Sequence, residues 1–204
     1  MMGVFPSTKT FLLLVVLTTF MFSATIITHP VLRPAAAQGQ QYSFLSKWGS
    51  EGTGFGKFKQ PLDIAIDSDD NVYVTDTTSV SNQIQKFAPN GTFITSWGTV
   101  GSGDGHFARA TGVATDSSDN IYVTDGGSPE TAVQKFTSNG TFITSWGSTG
   151  LGDGQFVSPG GVYVDSSDNV SVSDFGENNR IQSLTAMVIS LVNGELRVLV
   201  MDNS

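Results

Sequence analysis

Shifted by 49 residues, the chain falls into register with itself, without gaps, over most of its length. Trp48, Trp97 and Trp146 align, as do Phe58, Phe107 and Phe156. The same offset relates Asp67, Asp116 and Asp165, then Asn71, Asn120 and Asn169, then Asp76, Asp125 and Asp174. Residues 93–98 and 142–147 are identical, Phe-Ile-Thr-Ser-Trp-Gly, and each follows an Asn-Gly-Thr. Such a period means stacked supersecondary units, none of which can bury its apolar face alone.

Each unit reads as four short strands. Strand a is 62–67 with counterparts at 111–116 and 160–165; strand b is 71–76, matched by 120–125 and 169–174. Strand c is 83–87, matched by 132–136, and strand d is 92–97, matched by 141–146. In strand b, Val72 and Val74 share one face and Tyr73 takes the other, the alternation of a half-buried strand. Ser68-Asp69-Asp70 between a and b, and Pro89-Asn90-Gly91 and Ser138-Asn139-Gly140 between c and d, are turn-forming and make tight antiparallel hairpins. Composition agrees, since 23 glycines, 14 phenylalanines and only 14% charged residues suit a turn-rich β protein better than a helical bundle. Four-stranded units at this period predict the blades of a β-propeller.

Trp-Gly-Ser, a Gly-rich stretch ending in Gly-x-Phe, a Pro three residues on, Val-Asp, Asn-Val-Tyr-Val-x-Asp and Asn-Arg-Ile-Gln together resemble the NHL repeat. The third copy carries this best, in Gly154-Gln155-Phe156, Pro159, Asp165, Asn169, Asp174 and Asn179-Arg180-Ile181-Gln182. Copies one and two depart from it by one extra residue between the strand-b Asp and strand c. They have Gln83 and Ala132 where the pattern has Arg, and the second has Ala110 for Pro. The resemblance spans residues 42 to about 183 and implies a propeller of the six-bladed NHL type. It implies no single activity, because NHL-type propellers include scaffolds, RNA binders, lyases and substrate-recognition domains of ligases.

The expected fold is all-β: a partial propeller of about three to four four-stranded blades in residues 38–184, with repeats at about 44–92, 93–141 and 142–184. An N-terminal hydrophobic helix precedes it. The ring is unfinished, because an isolated d-like strand at Tyr42 to Trp48 is followed by only three a-to-c sets. Beyond Gln182 the pattern stops. Residues 185–204 read either as a hairpin around Asn193-Gly194, supplying strand d of the third blade and one exposed strand, or as the scrambled end of a truncated gene fragment. An unpaired apolar edge is a pairing hazard, met by a partner or by a homodimer that completes the ring.

Residues 1–37 have Lys9, an apolar run from Phe11 to about Ile27, no acidic residue, and Ala35-Ala36-Ala37 before Gln38. This is the layout of a cleaved signal peptide, or of a retained membrane anchor; both place the body of the chain in the cell envelope or outside the cell. Removing them leaves 8 basic and 18 acidic groups, net -10. With the basic residues scattered singly, nucleic acid is not expected as a partner, and the membrane is reached only through an uncleaved leader.

Absent cysteines exclude disulfides, thiol nucleophiles, iron–sulfur clusters and the RING that ligase activity would need. The a–b and c–d turns are expected on one rim and the d–a and b–c connections on the other. Acceptor triplets for glycosylation at Asn90, Asn139 and Asn169 fall on the first rim. Binding to a protein or small ligand is assigned to the second, because its b–c loops (77–82, 126–131 and 175–178) differ between copies over a repeating framework. The side chains offered there are Lys57, Lys59, Asp104, His106, Arg109, Glu130, Asp153, Gln155, Glu177 and Asn178. No catalytic residue, metal ligand or cofactor is assigned. The Asp-rich a–b turns fail the EF-hand test at Val72 and Thr78 and read as Asx turns, with weak surface calcium as the alternative. A propeller lyase or hydrolase is the rival function; His106 with Glu130 is its one conceivable acid–base pair. The repeated Trp and Phe positions are read as blade-to-blade wedges rather than a carbohydrate platform.

Overall fold

A computed structural model of the chain describes residues 42–78, 82–129, 132–185, 188–192 and 195–199. The leader, Glu130 and the Asn193-Gly194 turn lie outside the described residues. The chain divides into two units, residues 1–46 and 47–204; all strands belong to the second.

No helix occurs among the described residues, and none there is long and apolar enough to cross a membrane. Three sheets follow one another. The first is β3 (Pro61–Ile66), β4 (Val72–Thr77), β5 (Asn82–Phe87) and β6 (Phe93–Trp97), antiparallel in chain order. The second repeats it with β9 (Ala110–Thr115), β10 (Ile121–Asp125), β11 (Val133–Phe136) and β12 (Phe142–Trp146). The third has three strands, β15 (Pro159–Val164), β16 (Val170–Asp174) and β17 (Arg180–Leu184). Each sheet is entered through a two-residue parallel ladder that sequence reading left as loop: β1 (Ser50–Glu51) with β2 (Lys57–Phe58), β7 (Thr99–Val100) with β8 (His106–Phe107), and β13 (Ser148–Thr149) with β14 (Gln155–Phe156).

Two expectations change. Residues 42–49 form no strand, because a d-type strand needs a c-type strand beside it and no described strand lies there. The described residues of the tail supply no fourth strand to the third sheet. Instead β18 (Val188–Val192) and β19 (Glu195–Leu199) pair with each other as a separate hairpin, Val192 opposite Glu195. These two strands flank the Asn193-Gly194 turn, which lies outside the described residues, and pair with no other described strand.

The core lies between sheets. Tyr73 and Ile84 of the first sheet meet Phe107, Val113, Ile121, Val123 and Phe136 of the second repeat, with Trp97 at the margin. Forty-nine residues on, Tyr122 and Val133 meet Phe156, Val164, Val170 and Val172, with Trp146 at the margin. The aromatics are the wedges their repetition predicts: Trp97 and Phe107 lie 6.0 and 5.8 Å, centroid to centroid, from the buried Phe136. Gly140, at φ +87°, lets Trp97 lie against the turn, since a Cβ there would be 2.7 Å from the indole.

Polar clasps reinforce each interface. Ser68 donates its N–H and hydroxyl to the Asp119 carboxylate at 2.9 and 2.7 Å, and Ser117 does the same to Asp168 at 3.0 and 2.9 Å. The accepting aspartates hold left-handed backbone, φ +60° and +61°.

Candidate functional site

The turn rim is occupied by its own structure. Asp67 accepts from the N–H groups of Asp69 and Asn71, from Asn71 Nδ2 and from Tyr73 OH, and Lys86 Nζ lies 3.3 Å from its carboxylate. Asp116 repeats this with Ser118, Asn120, Tyr122 and Lys135, the last at 2.9 Å. Asp165 keeps the Ser167 and Asn169 bonds, while Ser171 and Ser183 stand where Tyr and Lys were and bond each other at 2.8 Å. These are the expected Asx turns. Asn90 and Asn139 are exposed on the neighbouring c–d turns, whereas Asn169 donates its side-chain amide to Asp165 at 3.0 Å.

Burial works against the Asp67 and Asp116 carboxylates, but their bonds, led by those from Asn71 and Asn120, outweigh it and hold both below the ordinary value. Burial and the bond to Asp67 push the Tyr73 phenol up. Each lowered carboxylate contributes stability that is present above its unfolded value near 3.8 and is lost as pH falls through its lower folded value. Replacing both by Asn is therefore expected to flatten the acid limb of a Tm-versus-pH curve; an acid limb identical to that of the parent protein would contradict this.

The opposite rim is built differently: its loops are held by their backbone. Asp76, buried at the end of strand b, accepts the N–H groups of Lys59 and Gln60 at 2.9 and 2.7 Å. Asp125 takes those of Ala108 and Arg109 at 2.9 and 2.7 Å, and Asp174 those of Val157 and Ser158 at 3.0 and 2.8 Å. A strand-c glutamine holds each loop a second time. Gln85 bonds Gly56 N–H and the Lys57 carbonyl at 2.9 and 2.7 Å, Gln134 bonds Gly105 N–H and the His106 carbonyl at 2.8 and 2.6 Å, and Gln182 bonds Gly154 N–H and the Gln155 carbonyl at 2.9 and 2.7 Å. Sequence reading missed the glutamines as anchors, although one Gln per copy at a strand position was the available signal.

With the backbone fixed, the expected rim side chains sort out. Lys57, Lys59, Asp104, His106, Arg109, Asp153 and Glu177 are exposed. Lys59 pairs with Glu51 at 3.1 Å, and His106 Nδ1 lies 2.7 Å from Thr99 Oγ1. Gln155 is half-buried and accepts the Gly152 N–H at 3.1 Å. Asn178 straps its b–c loop to the d–a loop, donating to the Gly150 carbonyl at 3.0 Å and to Asp174. The b–c loop of the second repeat meets the d–a loop of the third where Thr149 N–H donates to the Pro129 carbonyl at 3.3 Å, so both loop classes share this rim. Among the described residues no three His, Asp or Glu side chains are grouped as a metal site would need. The described rim thus presents exposed charged side chains, one pair of them bridged between Lys59 and Glu51, on a backbone held by buried or half-buried Asp and Gln.

The segment from Phe58 in the first ladder through β5 holds the anchoring Asp76, the anchoring Gln85 and the Asx-turn Asp67 in one stretch. Residues 58–87 match the NHL repeat family. The 49-residue register brings the Phe, Asp and Asn positions of this segment back from Phe107 and from Phe156. No curated protein matches the chain. Among solved structures, it is similar to a nidogen/laminin complex (22% identity, TM-score 0.48, covering 70% of this chain and 49% of that one). It is also similar to virginiamycin B lyase from Staphylococcus aureus (13%, 0.41, 63% and 42%) and to a gluconolactonase from Xanthomonas campestris (14%, 0.42, 72% and 52%). The chain spans about half the length of the structures it matches.

Proposed function

We propose that the chain is an exported NHL-type propeller segment serving as a noncatalytic binding scaffold, with recognition on the rim of d–a and b–c loops. The observation that carries this reading is the double anchoring of every d–a loop by a buried Asp and a buried or half-buried Gln. Loops fixed through their backbone lose little conformational entropy on binding, which is what preorganisation contributes to affinity. Their outward side chains differ between copies, Lys57, His106 and Gln155 standing at one repeat position, so one framework displays three chemistries. The ligand is a protein or a small molecule, and the function requires no cofactor. In this reading the 2.7 Å contact of His106 Nδ1 with Thr99 Oγ1 ties the loop across its own ladder.

A panel of exported proteins and glycans, screened by surface plasmon resonance, tests the reading. A specific binder should lose at least about tenfold in affinity when Lys57 and Arg109 are replaced by Ala, and change little on Asn90→Ala at the turn rim. Binding that ignores the first pair and follows Asn90 would sink the proposal, as would turnover of a panel compound abolished by His106→Ala.

A further inference from the structure

The interface between repeats has two sides, and the described residues carry one spare copy of each. On one side of each junction stand the strand-b hydroxyl, the strand-c Ile or Val, and the turn Ser. On the other stand the strand-a Val, the preceding loop's Phe, and the turn Asp. Where the two sides meet they bury: Val113 is 3% exposed, and Ile84 and Val133 are 0%. Their repeat equivalents at the two ends do not. Ile64, in the place of Val113, is 62% exposed, and Ile181, in the place of Ile84 and Val133, is 66% exposed. Ile66 and Tyr163 extend the two bare faces.

The polar half of the junction is split in the same way. Asp70 holds the left-handed φ, +63°, of Asp119 and Asp168, but among the described residues no serine of a preceding repeat donates to it. Ser166 stands at the donor position of the third repeat, and no aspartate of a following repeat faces it among the described residues. Likewise Thr75 donates its hydroxyl to the Thr111 carbonyl at 2.9 Å and Thr124 to that of Gly160, whereas Ser173, the third in the series, bonds only within its own sheet, at Gly161.

Strand count gives a third mismatch of the same kind. Among the described residues the third sheet has no strand d, and a groove lined by Arg180, Ile181, Gln182, Ser183 and Leu184 runs along that edge. At the other end Trp48 occupies a d-type position with no described sheet behind it. Its ring is 4.7 Å from Phe87 and lies over Gly91, as Trp97 lies against Phe136 and Gly140.

From these complementary ends we propose that the partner fitted to both is a second copy of this chain. The first repeat of each copy docks on the third repeat of the other, and six sheets close into one ring. The junction repeats the internal one: Ser166 donates to Asp70 across it, Ser173 to the Leu62 carbonyl, and Trp48 comes opposite Ile181, as Trp97 is opposite Ile84 and Trp146 opposite Val133. A head-to-tail contact of this kind either closes or grows without limit, and two sets of three sheets fall within the four to eight blades at which propellers close. Closure leaves no bare sheet face and no open edge on either copy.

Light scattering on the full chain should give a single species of twice the monomer mass. Because the chain has no cysteine, a variant combining Asp70→Cys and Ser166→Cys should oxidise to a covalent dimer, while either change alone should not. Ile64→Lys, placed where the single chain leaves the side chain in solvent, should keep the β-sheet circular dichroism and raise the dimer dissociation constant about 100-fold or more by burying a charge. A monomer, an open-ended ladder of oligomers, or a double-cysteine variant that fails to crosslink would overturn the proposal.

Discussion

Phe107→Ala is expected to lower the free energy of unfolding by about 3–5 kcal/mol, the range for deleting a fully buried aromatic ring. Phe107 is 0% exposed and belongs to the cluster in which Tyr73 and Ile84 of one sheet meet Val113 and Phe136 of the next. Its cavity would open between two hydrogen-bonded sheets, where relaxation is limited. Both sides are tied by the Ser68–Asp119 clasp and the Thr75–Thr111 bond, so the sheets cannot slide together to fill it. Phe107→Leu keeps most of the volume and should cost about 1–2 kcal/mol. Urea denaturation followed by tryptophan fluorescence separates the cases. A loss below about 1 kcal/mol for the Ala variant would mean that the repeats are not wedged together by this ring.

What the sequence makes legible here follows from periodicity. Hairpin order, strand positions to within a residue or so, the Asx turns and the wedge role of Trp97 and Phe107 all repeat at 49 residues, so each is attested two or three times. The d–a ladders, such as Thr99 opposite His106, were not legible, because a two-residue pairing leaves no alternation to detect. The anchoring glutamines escaped for another reason: a Gln in a strand reads as solvent-facing until the loop that it bonds is seen to fold over it. The serine–aspartate clasp joins residues 51 apart in neighbouring copies, and turn chemistry alone explains the same residues locally. Tyr42 to Trp48 carries the sequence of strand d but lacks the neighbour that would make it one. Pairing is a property of two segments, so a repeat pattern over-predicts strands at the ends of an array.

Asp125→Ala should be the most damaging single change on the rim of d–a and b–c loops, at about 3–5 kcal/mol, since it removes the shared acceptor of two short amide bonds to a buried carboxylate. Burial pushes this carboxyl up, while the N–H groups of Arg109, Ala108 and Gly127 pull it down. The side chain is fully buried, so the truncated site is poorly placed for water to replace what is lost. Asp125→Asn keeps one acceptor oxygen and should cost about half as much. The effect should be local as well as global: in the Ala variant the Arg109 and Gly105 amides are expected to exchange with solvent much faster, while those of β10 and β11 follow global unfolding.

The parent protein in that comparison carries the most direct test of the account, because a preorganised rim requires its loops to be as rigid as the strands beneath. Amide hydrogen exchange should find the N–H groups of Gly56, Lys59, Gly105, Arg109, Gly154 and Ser158 protected to nearly the level of neighbouring strand amides, each being bonded to a buried or half-buried Asp or Gln. Exchange of these six at the rate of an unstructured chain, with the strands still protected, would contradict it.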